Sequence, residues 1–192
     1  MSRRFAVLLM LAAAGASAAE IEIRAERSGD AVQVHASARL AADPASAWTV
    51  LTDYDRYATF IPDLRSSRIV ARGEGGHVRV EQKGDARLAF LKLPVEVVYD
   101  VEERPTRSLH SRAVGGSIKE IVSLYELSPS GDGCRLVYSG RIVPHEGGPG
   151  VFDVVLVRAT IARQFRALAA EIERFAASAE AASMRPSPAR AD

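Results

Sequence analysis

Ile161-Ala162-Arg163-Gln164-Phe165-Arg166-Ala167-Leu168-Ala169-Ala170-Glu171-Ile172-Glu173-Arg174-Phe175 is the stretch on which the fold turns. Its large apolar residues, Ile161, Phe165, Leu168, Ile172 and Phe175, follow one another by steps of four, three, four and three. At 3.6 residues per turn such steps keep returning to one side, so the stretch predicts a long amphipathic helix with a single buried stripe. Arg163, Arg166, Glu173 and Arg174 occupy other positions on it. Val154 carries the apolar pattern upstream, toward Gly147-Gly148-Pro149-Gly150.

Before that glycine-rich stretch the period changes to two. Val32, Val34, Ala36, Ala38 and Leu40 alternate as a half-buried strand should, and Ile21-Glu22-Ile23 pairs back onto it through the Ser28-Gly29-Asp30 turn. Further strands are expected at Arg68 to Arg72, around Val78, Val80 and Gln82, from Leu88 to Leu93, and around Val95, Val97, Tyr99 and Val101. Leu109 to Ala113, Ile118 to Leu127, and Leu136 to Ile142 complete the run. Turns at Gly73-Glu74-Gly75-Gly76, Arg104-Pro105-Thr106 and Pro129-Ser130-Gly131-Asp132-Gly133 punctuate it. Short strands so spaced predict one strongly curved, all-antiparallel sheet.

Two short helices interrupt the strands after the first of them. Asp43 is a natural N-cap and Pro44 suits the first helical position, so a helix should run from Pro44 to about Thr52, with Trp48 and Leu51 facing inward together. A second starts around Asp53 to Asp55 and stops before Pro62, because the residue preceding a proline is pushed out of helical geometry. The order is therefore strand, two short helices, about six strands and a long C-terminal helix, an α+β chain. A curved sheet with one long helix must bury the helix stripe against its concave face. Space left between the two opens at one end, where ligand pockets form.

At the N-terminus Arg3 and Arg4 precede the apolar run Phe5 to Ala14, and Ala16-Ser17-Ala18 offers a small-x-small cleavage site. That order is a secretory signal peptide, assigned to residues 1–19; its apolar run is too short to span a bilayer. Residues 20–180 then form one domain, and the Pro/Ser/Ala/Arg-rich residues 181–192 a disordered tail. Losing Arg3 and Arg4 turns the formal charge from +1 to −1. Such a balance argues against a nucleic-acid partner, which demands a basic excess. Cys134 is the sole cysteine, so no intramolecular disulfide forms, and it reads as a small buried strand residue. The mature protein is expected in the periplasm or secreted, with oligomeric state left open.

The element order, together with Asp53-Tyr54-Asp55-Arg56-Tyr57-Ala58-Thr59-Phe60-Ile61-Pro62-Asp63-Leu64 and the helix start Asp43-Pro44-Ala45-Ser46-Ala47-Trp48, resembles the START-related polyketide cyclase and coenzyme Q-binding proteins of the SRPBCC superfamily. The resemblance runs from the strand ending at Leu40 to the C-terminal helix. It implies a helix-grip fold with a deep cavity between sheet and helix. It also implies ligands such as lipids, quinones, polyketides or sterols, with catalysis in only some branches. The Asp-Tyr-x-x-Tyr-x-x-Phe-x-Pro string carries the superfamily and says little about the ligand. In that superfamily the segment from Tyr54 to Pro62 closes one end of the cavity, which implies that Tyr54, Phe60, Ile61 and Pro62 line or gate it. The alternative is that they only pack the short helices onto the sheet.

Alternation nominates Val80, Gln82, Val97, Tyr99, Ser111, Tyr125 and Tyr138 for the concave face. The three tyrosines stand out, because a buried phenol needs a hydrogen-bond partner that a ligand can supply. Phe152, Val155 and Leu156 open the long helix and should face the cavity mouth. Arg79, Arg141 and Arg158 would meet an anionic headgroup if they turned inward, and otherwise read as solvated surface charges. Signals for catalysis are weak. His35, His77, His110 and His145 lack H-x-x-x-H spacing, Ser139-Gly140-Arg141 is no nucleophile elbow, and neither glycine-rich stretch ends as a P-loop does. Glu102 and Glu103 point to opposite faces of one strand. No catalytic residue, metal ligand or cofactor site is assigned.

Three functions fit these features. The first is an exported carrier holding a hydrophobic small molecule, lipid, quinone or polyketide-like, for which transient membrane contact would be compatible. The second is a cyclase or dehydratase acting on an aromatic or polyketide-like substrate. The third is an envelope interaction protein whose cavity is filled by its own side chains.

Overall fold

Period-two alternation resolves into eight strands in the computed structural model, which describes residues 20–88, 91–144 and 154–184. They are β1 (Ile21–Ser28), β2 (Ala31–Leu40), β3 (Leu64–Arg72), β4 (His77–Leu88), β5 (Leu91–Arg104), β6 (Ser108–Gly116), β7 (Glu120–Ser130) and β8 (Gly133–Val143). All join one sheet in the order β1-β2-β8-β7-β6-β5-β4-β3, every neighbour antiparallel. Tight reversals at Gly29 (φ 62°) and Gly131 (φ 59°) close the β1–β2 and β7–β8 hairpins, in backbone geometry that only glycine adopts freely.

Between β2 and β3 the chain leaves the sheet. It forms α1 (Pro44–Leu51), a 3₁₀ turn (Tyr54–Arg56) and α2 (Tyr57–Phe60). Because β2 lies near one edge and β3 is the opposite edge, this excursion carries the short helices across one end of the sheet. The α1 start follows the sequence reading. Asp43 Oδ1 accepts the N–H groups of Ala45 (2.8 Å) and Ser46 (3.0 Å), and Pro44 occupies the first turn.

α3 (Val154–Ser183) presents the predicted stripe. Phe165, Leu168 and Ile172 are buried, Ala169 is buried beside them, and Ile161 and Phe175 flank the core. The helix reaches Ser183, a little past the start of the expected tail. The signal-peptide stretch, Phe152 and the end of the tail lie outside the described residues. Together the curved sheet and gripped helix make the helix-grip arrangement.

Some boundaries differ from the reading. The expected strand from Leu88 to Leu93 is divided between the end of β4 and the start of β5, where Leu88 pairs with Leu91. Pro94 lies inside β5 rather than breaking it. Asp85, its partner on β4, donates its N–H away from β5, to the Asp63 carbonyl (2.8 Å). The missing N–H of Pro94 therefore faces the other side, where pairing with β6 begins only at Val97. Cys134 is fully buried on β8, and burial pushes its thiol up to about 11.

Candidate functional site

Register explains why the concave face has a hollow. One row across it reads Val34 on β2, Gly140 on β8, Ser123 on β7, Ser111 on β6 and Val101 on β5. Three consecutive strands thus supply glycine, serine and serine where large side chains would fill the sheet. The neighbouring row brings Ala36, Tyr138, Tyr125 and Leu109 together, while Tyr99 pairs with Val80 and Ala113 on the other side of the hollow. α3 covers the space with Ile161, Gln164 and Leu168, and the α1–β3 excursion walls one end with Tyr54, Tyr57, Ile61 and Leu64. The result is a cavity of about 160 Å³.

All five tyrosines of the chain line this cavity. Two are engaged at the end wall: Tyr57 donates to the Leu51 carbonyl (2.6 Å) and Tyr54 to Glu103 Oε1 (3.0 Å). On the floor the Ser111 and Ser123 hydroxyls share a hydrogen bond (2.7 Å), and Tyr138 joins them through Ser123. The Tyr125 and Tyr138 rings pack with centroids 4.8 Å apart. Among the described residues, the Tyr99 and Tyr125 hydroxyls have no side-chain or backbone hydrogen-bond partner. Burial raises every one of these phenols above the ordinary tyrosine range, Tyr138 up to about 12. They remain protonated at physiological pH and act as hydrogen-bond donors. No charged side chain is among the described residues that line the cavity.

Ion pairs at both of its ends hold the wall segment against α3. At one end Arg56 reaches buried Glu171 (3.3 Å), which also takes a 2.7 Å hydrogen bond from Arg174 Nε. The Arg174 hydrogen bond, and beyond it the nearby arginine charges, hold the Glu171 carboxyl below its ordinary range despite burial. At the other end Asp63 binds Arg163 of α3 (3.1 Å) and Arg87 of β4 (2.7 Å). Asp63 adopts φ 65°, a left-handed geometry that aspartate tolerates better than most residues. Asp55 Oδ1 accepts the Ile69 N–H (2.8 Å), tying the segment to β3 as well. Cavity-wall residues Tyr57 and Ile61 lie between the two α3 contacts, and Tyr54 lies two residues before the first.

Eight of the residues nominated from sequence meet at this cavity: Tyr54, Ile61, Val80, Gln82, Tyr99, Ser111, Tyr125 and Tyr138. The others do not. Phe60 packs behind the wall, its ring 5.6 Å from Tyr57, and Pro62 is half-buried outside the lining. Val97 is buried on the same face without reaching the hollow. Val155 is 62 % exposed and Leu156 is buried in the core, because α3 turns its lining side to the cavity only from Ile161 onward. The cavity is also far smaller than the deep pocket expected, since tyrosine rings occupy much of the concave space. Among the polar lining residues, sequence reasoning missed Tyr57, Ser123 and Gln164. Each carried a signal: Tyr57 lies three after Tyr54, Ser123 lies two before Tyr125, and Gln164 falls inside the Ile161–Leu168 stripe.

The outward residues behave as surface groups. Arg79 makes a two-pronged pair with Asp100 (2.6 and 3.0 Å), Arg141 binds Glu120 and Asp30, and His35 and His110 are exposed. Glu102 pairs with Arg104 outside while Glu103 faces Tyr54, so these carboxylates are indeed on opposite faces. Among the described residues no three His, Cys, Asp or Glu side chains converge as a metal site needs, and no helix is long and apolar enough to cross a membrane.

Residues 31–180 match the model of a family described as polyketide cyclase / dehydrase and lipid transport. No curated protein matches the chain. Among solved structures, the chain is similar to a STAR-related lipid transfer protein from Xanthomonas axonopodis, with 15 % identity over 79 % of this chain and 93 % of that one and a TM-score of 0.65. It is also similar to a START superfamily protein from Mycobacterium smegmatis, with 16 % identity over 74 % and 97 % and a TM-score of 0.63. The Zhui aromatase/cyclase from a Streptomyces species gives 18 % identity over 80 % and 95 % and a TM-score of 0.61. At these identities the likeness is one of fold.

Proposed function

The chain belongs to the polyketide cyclase / dehydrase and lipid transport family, and from that premise we propose that it is an exported carrier holding a hydrophobic small molecule between the sheet and α3. The observation that carries this reading is the cavity's lining. Alkyl groups and protonated phenols bind and orient an apolar molecule, and phenols held above their ordinary pKa make poor bases at neutral pH. Export is supported by the sequence at residues 3–18, where a basic pair, an apolar run and a small-x-small site follow in order. It would place the carrier in the periplasm or outside the cell.

One feature favours a second reading. Phenols that donate to a ligand carbonyl also stabilise its enol, the kind of electrophilic assistance a cyclase or dehydratase uses. The test is native mass spectrometry of protein purified from its own compartment without detergent, followed by solvent extraction. A single adduct, lost on extraction and unchanged in mass on prolonged incubation, supports the carrier. A Ser111→Leu variant, which fills the floor of the hollow, should lose it. Conversion of the adduct to a second species would favour the enzyme. A bare protein that takes up nothing from an extract would leave a filled cavity and an interaction role.

A further inference from the structure

Building on the carrier reading of the cavity, we propose that its ligand is a neutral molecule about the size of one ring, carrying a carbonyl or similar acceptor that Tyr99 and Tyr125 hydrogen-bond.

Size comes first. An apolar cavity of roughly 150 Å³ takes up benzene, whereas drug-sized ligands occupy pockets of about 300–1,000 Å³. At about 160 Å³ this cavity matches a single substituted ring and is too small to enclose a diacyl lipid or a fused multi-ring polyketide.

Charge narrows the class further. The ionic groups near the wall are already committed: Glu103 to Tyr54, Glu171 to Arg56 and Arg174, and Asp63 to Arg87 and Arg163. A carboxylate or ammonium drawn into the cavity would lose its hydration with no counter-charge to replace it.

Hydrogen-bond inventory supplies the last element. Tyr54 and Tyr57 already donate to protein acceptors, and Ser111, Ser123 and Tyr138 are linked through Ser123 by two hydrogen bonds, which engage two of their three O–H groups. Tyr99 and Tyr125 are the two lining phenols without any partner among the described residues, and so the donors most open to the ligand. A carbonyl oxygen has two lone pairs, so it accepts from either hydroxyl, and from both where the two reach it together. A hydrocarbon of the same shape would bury both hydroxyls unpaired, which is unfavourable.

Three probes of nearly equal size separate these elements: acetophenone, its hydrocarbon isostere α-methylstyrene, and benzoate. Each is titrated into the full chain and followed by calorimetry and by tyrosine ring resonances. Acetophenone should bind about tenfold or more tighter than α-methylstyrene, the ratio that one unpaired buried hydroxyl sets, and benzoate should not bind. In a Tyr99→Phe/Tyr125→Phe variant, checked for an unchanged fold by thermal unfolding, α-methylstyrene binding should persist while the acetophenone advantage disappears. Equal binding of the first two, an advantage that survives in the variant, or tightest binding of benzoate overturns the proposal and leaves the carrier reading standing. Uptake of only a long-chain or multi-ring molecule from an extract overturns the size limit alone and with it the proposal. Failure of every probe, with no adduct from the extract, overturns the carrier reading itself.

Discussion

Replacing Gly140 by alanine tests the packing of the cavity floor by the sign of one number. Gly140 lies inside β8 without a left-handed backbone, so the substitution on its own should stabilise the strand by about 0.5–1 kcal/mol. Its new methyl group would, however, stand 2.3 Å from Tyr138 Oη, 2.8 Å from Cζ and 3.0 Å from Cε1. Tyr138 is 4 % exposed and its ring packs 4.8 Å from that of Tyr125, so it must swing toward the cavity. Losing the Ser123 hydrogen bond costs about 1 kcal/mol and an off-rotamer ring about as much again. The opposing contributions leave Gly140→Ala less stable by about 1 kcal/mol, with a cavity partly occupied by the displaced ring. The assay is urea unfolding of the wild type, the Gly140→Ala variant, Tyr138→Val and the double variant. In the Tyr138→Val background the same substitution should become stabilising by about 0.5–1 kcal/mol, because the three atoms nearest the methyl all belong to the phenol that Tyr138→Val removes. A Gly140→Ala protein more stable than wild type, or strictly additive effects in the double variant, would refute the reasoning.

The two ion-pair contacts on the wall segment predict salt-sensitive exchange. Raising salt from 0.05 to about 0.5 M, or replacing Arg56 and Arg163 by methionine, should speed ligand dissociation severalfold in stopped-flow displacement; an unchanged rate removes the segment as the exit. Glu171, with its folded pKa depressed, contributes stability that is present above its unfolded value of about 4.3 and lost as pH falls through the folded one. A Glu171→Gln variant should therefore lose less stability than wild type between about pH 5 and pH 3 in thermal unfolding scans. The tyrosines give the opposite sign: raised folded pKa values mean stability that is full below about pH 10 and lost as pH climbs past it. Absorbance at about 295 nm should show no phenolate titrating near pH 10 in the folded protein, and one tyrosine that does so contradicts the buried cluster.

Much of this arrangement was legible in the sequence because burial imposes periods that a single chain displays. The Ile161–Phe175 stripe gave α3, and alternation put Tyr99, Ser111, Tyr125 and Tyr138 on one face. Asp43-Pro44 fixed the start of α1 through chemistry local to three residues. What alternation cannot carry is register between distant strands. That Gly140, Ser123 and Ser111 fall in one row, and so open the hollow, depends on pairings among β6, β7 and β8 that no local pattern encodes. The ion pairs of Asp63 and Glu171 were hidden for the same reason, since Arg163 and Arg56 are far from them in sequence. Val155 misled because helix amphipathicity fixes which side of α3 is buried, not where along its length the cavity begins.

The contrast between a family described by polyketide and lipid chemistry and a cavity of about 160 Å³ resolves at the level of side chains. The sheet is set by strand pairing and the helix by the α3 stripe, and the Tyr99, Tyr125 and Tyr138 rings pack into the space between them. Those rings stand on inner-face positions of β5, β7 and β8, and an aromatic side chain buries about 150–250 Å² wherever it is placed. Exchanging them for small residues would enlarge the space while leaving the backbone frame that supports it. Exchanging them for phenylalanine would keep the volume and remove the donors. Volume and polarity of the ligand are therefore specified independently of the fold, by a handful of positions at alternate residues of three strands. On the proposed reading the fold supplies a sheltered space, and the tyrosines are the residues that would restrict it to a small, uncharged molecule able to accept a hydrogen bond.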